Sequence, residues 1–349
     1  MLRADHKKMK RFINDYSQGA CKEILGRLVE VNFEENEGYG CDKYCRMAEE
    51  KILAECGCPD GQVYFMNGGT QTNQVVIDTM CEPYEGVIAV ETGHINTHEA
   101  GAIEYSGHKV FALKGEDGKL QAAVLSDFMD AYMSESSLEH MVYPGMVYIS
   151  HPTELGTLYT KAELKELHDI CAKWDIPLYM DGARLGYGLM AEGTDVSLKD
   201  IAELTDVFYI GGTKVGSFFG EAVVFPKHNM PKRFNTLVKQ HGAMVAKGWL
   251  AGLQFDALFT DGLYYECGRN GIETARIIKD ALKEKGYEFM IDSPTNQIFV
   301  ILTNEKFDEL KDYLEGNIWS YPDEAHTAVR IVTSWATAEE EVLEYINIY

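Results

Sequence analysis

The chain has 349 residues, 55 of them acidic and 32 basic, for a formal net charge of −23 at pH 7. Affinity for a nucleic-acid backbone comes from Lys and Arg neutralising phosphates, so this balance argues against such a partner. With 46% hydrophobic residues, the length is enough to fill the core of one large domain and a smaller second one.

In chain order, residues 1–8 lack the apolar core of a signal peptide, and no later apolar run is long enough to span a bilayer, so a cytoplasmic protein is expected. Eight cysteines at irregular positions read as reduced thiols rather than a disulfide framework. Cys41, Cys45, Cys56 and Cys58 lack the paired two-residue gaps of zinc sites, and no metal is expected. Between residues 60 and 225 strand-like and helix-like runs alternate. Strands are predicted at 62–66, 86–90, 146–150, 177–180, 207–210 and 221–225, with helices from about 70 and over 161–173. This alternation predicts a mainly parallel sheet covered by helices, an α/β architecture. In the second helix Leu164, Leu167, His168 and Cys171 share one face. After a helical stretch over 242–258 the pattern changes: a long helix near 271–285, a strand at 297–302, a helix at 305–314 and a strand at 328–333. We therefore expect a large domain over 15–260 and a small α+β domain over 261–349, with residues 1–14 packing against the latter.

Two strand ends carry the chemistry. Val207-Phe208-Tyr209-Ile210 runs into Gly211-Gly212-Thr213-Lys214, and Leu178-Tyr179-Met180 runs into Asp181-Gly182-Ala183-Arg184. A desolvated lysine that loses its proton forms an imine with an aldehyde. A buried carboxylate keeps a pyridine nitrogen protonated, which lets the ring take up electrons. Lys214 and Asp181 together describe a site for pyridoxal 5′-phosphate (PLP). Arg184 follows the acid by three residues and is available to the ring oxygen of the cofactor or to a substrate carboxylate. Upstream, Asn67-Gly68-Gly69-Thr70 leaves a strand and opens a helix. Its glycines let backbone N–H groups approach a phosphate, and Thr70 adds a hydroxyl at the positive helix end. His94 and His98 lie just past a strand end, where one of them can cover the cofactor ring. Arg330, in an apolar strand, requires an anion, either structural or from a substrate.

These motifs resemble the threonine aldolase and β-eliminating lyase family, of the aspartate aminotransferase-like fold. The resemblance runs through most of the chain. It rests on Tyr39-Gly40-Cys41-Asp42, Asn67-Gly68-Gly69-Thr70, His94 with Glu99-Ala100-Gly101, the run from Pro152 to Thr160, Asp181-Gly182-Ala183-Arg184, Gly212-Thr213-Lys214 and Arg330. The segments 153–160 and 241–254 look most like the phenylserine aldolase branch. The resemblance implies a PLP-dependent transferase-like fold of type I with a seven-stranded sheet. The activity it implies is cleavage of a β-hydroxy-α-amino acid to glycine and an aldehyde, with β-elimination, racemisation or transamination as the alternative.

The resemblance also implies residue roles. Lys214 carries the cofactor, Asp181 meets its ring nitrogen, His94 stacks on the ring, and Arg184 and Arg330 hold the substrate carboxylate. Gly69, Thr70 and Thr213 contact the phosphate, and Lys247 reaches it from a neighbouring subunit, which makes a homodimer or homotetramer with shared sites the expected state. Two positions depart from the family pattern. Glu154, with His151 three residues earlier, stands where many threonine aldolases place a histidine on the substrate β-hydroxyl. Asn14 replaces a serine that binds the substrate carboxylate. The candidates for the base at the β-hydroxyl are thus His94, His151 and Glu154, and Tyr16, Tyr39 and Tyr187 are candidates to line the substrate side.

Overall fold

The structure is a computed structural model and describes residues 12–349, so the expectations for residues 1–11 lie outside the described residues. Its centre is a seven-stranded sheet of β1 (Gln62–Met66), β2 (Glu85–Val90), β3 (Val110–Leu113), β4 (Tyr143–Ser150), β5 (Leu178–Asp181), β6 (Val207–Gly211) and β7 (Glu221–Phe225). Their spatial order is β1-β7-β6-β5-β4-β2-β3, and only β7 runs antiparallel to its neighbours. The mainly parallel sheet agrees with the α/β fold of type I read from the sequence.

The central strands read as unbroken apolar runs because helices cover both faces of the sheet. Along β4, Val147 and Ile149 enter one core while Met146 and Tyr148 enter the other. Along β6, Phe208 and Ile210 part in the same way from Val207 and Tyr209. The helix Lys161–Trp174 starts at a reciprocal Thr160–Glu163 capping box and buries Leu164, Leu167 and Cys171, the face expected from their spacing.

A second, antiparallel sheet joins β8 (Glu288–Ile291), β9 (Gln297–Thr303), β10 (Ile318–Ser320) and β11 (His326–Val332) in the order β10-β11-β9-β8. Its core gathers Ile298, Val300, Val329 and Ile331 with Ile278 and Leu282 of a long helix and with Phe12. That helix is Leu263–Glu284, beginning eight residues before the predicted start. Its interior Gly268 and Gly271 serve close packing. A Cβ on Gly268 would lie 2.1 Å from the Gly186 carbonyl oxygen, and one on Gly271 would lie 2.4 Å from the Tyr187 ring. The predicted helix over 242–258 is shorter, Trp249–Leu258. Among the described residues no helix is long and apolar enough to cross a membrane.

Candidate active site

Ligands of open α/β sheets collect at the carboxyl ends of the parallel strands. Here those ends bring together Gly69 and Thr70 after β1, His94 after β2, Ser150 at the end of β4 with Pro152, Thr153 and Glu154 after it, Asp181 at β5 with Ala183 and Arg184, and Thr213 and Lys214 after β6. Because β7 is antiparallel, its first residue, Glu221, arrives at the same edge. These residues, with Tyr16, Asn73 and Tyr209, enclose a cavity of about 240 Å³. That lies just below the roughly 300 Å³ at which drug-sized sites begin, so the cavity suits one compact small molecule.

Asp181 is the most heavily hydrogen-bonded carboxylate in the cavity. Its Oδ1 accepts from the Tyr209 hydroxyl at 2.5 Å and the Ala183 N–H at 2.9 Å, and its Oδ2 accepts from Asn73 Nδ2 at 3.0 Å and the Tyr148 hydroxyl at 2.7 Å. Burial pushes its pKa up, but the nearby His94 charge and the bonds from Tyr209, Asn73 and Ala183 outweigh this and hold it below the usual carboxylate value. Asp181 therefore stays ionised. Lys214 moves the other way: burial and then the Arg184 charge lower its pKa, against Asp15, Asp181 and Glu221, which raise it. Its backbone is fixed by the Tyr187 hydroxyl, 2.6 Å from the Lys214 carbonyl oxygen.

His94 lies in the cavity wall, with Nδ1 2.7 Å from Glu99 Oε1, which also accepts from Asn73 Nδ2 at 2.7 Å. Glu99 thus orients the ring and leaves Nε2 without a hydrogen-bond partner among the described residues. His98, the other histidine of that stretch, stacks on His94 from outside the cavity wall, with ring centroids 5.7 Å apart. Glu154 Oε1 accepts from the His94 N–H at 2.8 Å and from Ser150 Oγ at 2.6 Å, while its buried Oε2 has no partner among the described residues. Burial raises the Glu154 pKa against the Ser150 bond, with Asp181 adding to the rise and His94 opposing it.

Several expected residues are placed differently. His151 does not line the cavity. Its ring packs on Tyr159 at 6.4 Å, and Nδ1 accepts the Tyr159 N–H at 3.3 Å. Asn14 does not line it either; its Oδ1 accepts from the Tyr16 N–H and Ser17 Oγ in a local turn. The Thr213 hydroxyl gives its one proton to Glu221 Oε1 at 2.8 Å. Tyr39 and Lys247 line a separate cavity, joined by the Tyr39 N–H bond to the Ala246 carbonyl at 3.1 Å. Tyr16 borders the site, whereas Tyr187 is fully buried beneath Lys214.

The two arginines behave differently. Arg184 is bound by Asp15 through two bonds, and Asn296 donates to the same carboxylate at 3.0 Å. Arg330 stands outside the cavity wall, 5.2 Å over the Trp319 ring and 3.4 Å from Gln297 Oε1, with no carboxylate partner among the described residues. Burial, then Arg184, lowers its pKa. Asp15, Asn73, Tyr148, Tyr209 and Glu221 were not singled out from the sequence, and Glu99 was marked only as part of the motif that follows His94.

These residues fit PLP. The helix Gly69–Met80 opens at the cavity with no side chain capping its first N–H groups, which suits a phosphate. The ionised Asp181 suits a protonated ring nitrogen, and the downward shift of the Lys214 pKa suits attack on an aldehyde.

Residues 12–305 match the β-eliminating lyase family. The low specificity L-threonine aldolase of Pseudomonas sp. strain NCIMB 10558 is 28% identical over 346 residues, covering 96% of this chain and 95% of that protein. A solved Leishmania major threonine aldolase is 40% identical, covers 97% of each chain and superposes with a TM-score of 0.92. A mutant of Thermus thermophilus aspartate aminotransferase, 15% identical with a TM-score of 0.67 and 98% and 96% coverage, shares the fold. With the type I fold and a cavity that fits PLP already in view, these matches make the chain a member of the threonine aldolase and β-eliminating lyase family, a PLP-dependent lyase.

Proposed function

We propose that the protein cleaves the Cα–Cβ bond of a β-hydroxy-α-amino acid of the threonine, allo-threonine or phenylserine type, giving glycine and an aldehyde. The observation that carries this reading is Glu154 Oε2, a buried carboxylate oxygen with no partner among the described residues, in the wall of the cavity that also holds Lys214 and Asp181. A buried polar atom left without a partner is costly, and a substrate hydroxyl satisfies it.

When bound, PLP supplies an electron sink for the pair left on Cα. Lys214 holds the aldehyde end, Asp181 the ring nitrogen, and the N–H groups at Gly69 and Thr70 the phosphate. His94, oriented by Glu99, faces the ring. Arg184, kept in place by Asp15, and Arg330, which has no carboxylate partner among the described residues, bind the substrate carboxylate. Fixing that group decides which bond at Cα is presented for cleavage. Glu154 takes the proton from the β-hydroxyl, with His94 Nε2 as the other group available. His151 is set aside from this role by its position against Tyr159.

We further propose that the active form is a homodimer or homotetramer with sites shared between subunits. The support is the exposed Lys247 and Tyr39, which lie in a separate cavity from Lys214 and so stand ready for a neighbouring copy. Light scattering is expected to give a multiple of the 39.2 kDa chain mass, and Lys247→Ala to weaken PLP binding without altering the fold.

The experiment for the reaction is to incubate the PLP-loaded protein with L- and D-threonine, their allo forms and phenylserine, measuring glycine and aldehyde. Equimolar release from at least one substrate supports the reading. Keto-acid formation without aldehyde contradicts it.

A further inference from the structure

Glu221 is 3% exposed and lines the Lys214 cavity, yet none of the roles above uses it. In the β6–β7 register it sits opposite Gly211. Its Oε2 accepts the Gly212 N–H at 3.2 Å and its Oε1 the Thr213 hydroxyl at 2.8 Å. Both donors immediately precede Lys214 in the chain, and the Gly220 N–H closes the arrangement on Thr213 Oγ1 at 3.0 Å. Among the described residues Glu221 has no ion-pair partner in contact, and no side chain hydrogen-bonds Lys214 Nζ. A carboxylate buried this way is costly unless it stays neutral or has a cation near.

We propose that Glu221 is the positioning residue that sets the protonation of Lys214. Its two hydrogen bonds fix the Gly212-Thr213-Lys214 turn, and its own charge decides whether the lysine stands as the ammonium or the free amine. This rests on Lys214 being the cofactor lysine.

The surrounding groups leave Glu221 as the member free to change charge. Burial pushes its carboxyl up to about 8, the Thr213 bond and the Lys214 charge oppose this, and Asp181 adds to the rise. Around Lys214, Asp15 and Asp181 are held as carboxylates, and Arg184 remains protonated. The phenols that feel Glu221, those of Tyr179, Tyr209 and Tyr264, are all raised and stay neutral. Glu154 and His94 lie across the cavity and are linked to each other. With Glu221 raised and Lys214 lowered, the two titrate as a couple rather than as separate groups.

The test is the rate at which the apo protein captures added PLP, followed by visible absorbance across pH 6 to pH 9.5. Removing a carboxylate beside the lysine lowers the lysine pKa, so in Glu221→Gln the midpoint of the rate profile is expected to move down by about 1 pH unit or more. Coincident midpoints in Glu221→Gln and wild type, with or without a loss of amplitude, overturn the proposal and leave Glu221 a structural anchor. Carbon-13 NMR of wild-type protein labelled at glutamate carboxyls reads the same couple without a variant at Glu221. One carboxyl titrating near pH 8 and moving upward in Lys214→Ala supports the proposal; no glutamate titrating above pH 6 overturns it. Wild-type protein that captures no PLP at any pH overturns the role of Lys214 and this proposal with it.

Discussion

Asp15 grips Arg184 through two parallel bonds, Nε to Oδ2 at 2.7 Å and Nη2 to Oδ1 at 3.1 Å, with both side chains largely out of solvent. The pair ties the segment after Phe12 to the strand end that carries Asp181. Removing one partner of a buried pair leaves the other charge uncompensated, which costs about 3–5 kcal/mol. Asp15→Ala is therefore expected to lose stability of that order in denaturant unfolding. Burial raises the Asp15 pKa, but Arg184 and Lys214 bring it below its ordinary value of 3.8. A depressed carboxyl contributes stability that is present above the ordinary value and lost as pH falls through the lower folded value. The stability gap between wild type and Asp15→Asn should thus narrow below about pH 4.

Glu154→Gln should keep the fold and PLP binding while cutting kcat by about 10²–10⁴-fold, the usual contribution of a positioned base. Because burial raises the Glu154 pKa, wild-type turnover should fall on the acid side at a pH above that of an ordinary carboxylate. The variant should lack that limb. A pH–rate profile of both proteins checks this.

His151→Gln should leave kcat within a few-fold of wild type, since the ring packs on Tyr159 outside the cavity. Its effect belongs to stability. Burial lowers its pKa from 6.5 to about 4, so between those values the unfolded chain binds a proton that the folded protein excludes. Wild-type stability then falls as pH drops from 6.5 to 4, by about 3 kcal/mol over the interval, and is fully present above 6.5. Unfolding curves of the variant should be flatter across that window.

Trp319→Ala removes the ring beneath Arg330, an arrangement worth roughly 0.5–2 kcal/mol. If Arg330 holds the substrate carboxylate, KM should rise by about 2–30-fold with kcat changed less. The same ring ends a ladder in which His98 lies 6.5 Å from Trp319 and 5.7 Å from His94, so the near-ultraviolet circular dichroism should change as well.

The sequence disclosed the groups that stand at the ends of apolar strands: Lys214 after β6, Asp181 at β5 and Gly69-Thr70 after β1. Local pattern sufficed because strand, turn and reactive residue are contiguous. The partners that tune them were hidden because they come from far away in the chain. Asn73 reaches Asp181 across 108 residues and Asp15 reaches Arg184 across 169. Glu221 escaped notice because its place depends on β7 running antiparallel, which no local pattern encodes. Short strands were missed for a related reason. β3 and β10 have four and three residues, too few for a period to declare itself. His151 looked chemical from its distance to Glu154, yet the chain turns its ring into the core on Tyr159.

The most direct measurement is to reduce the PLP-loaded protein with borohydride and map the labelled peptide by mass spectrometry. One label per chain is expected, on Lys214, and none in Lys214→Ala. A label on another lysine, or wild-type labelling and colour persisting in Lys214→Ala, would contradict this assignment.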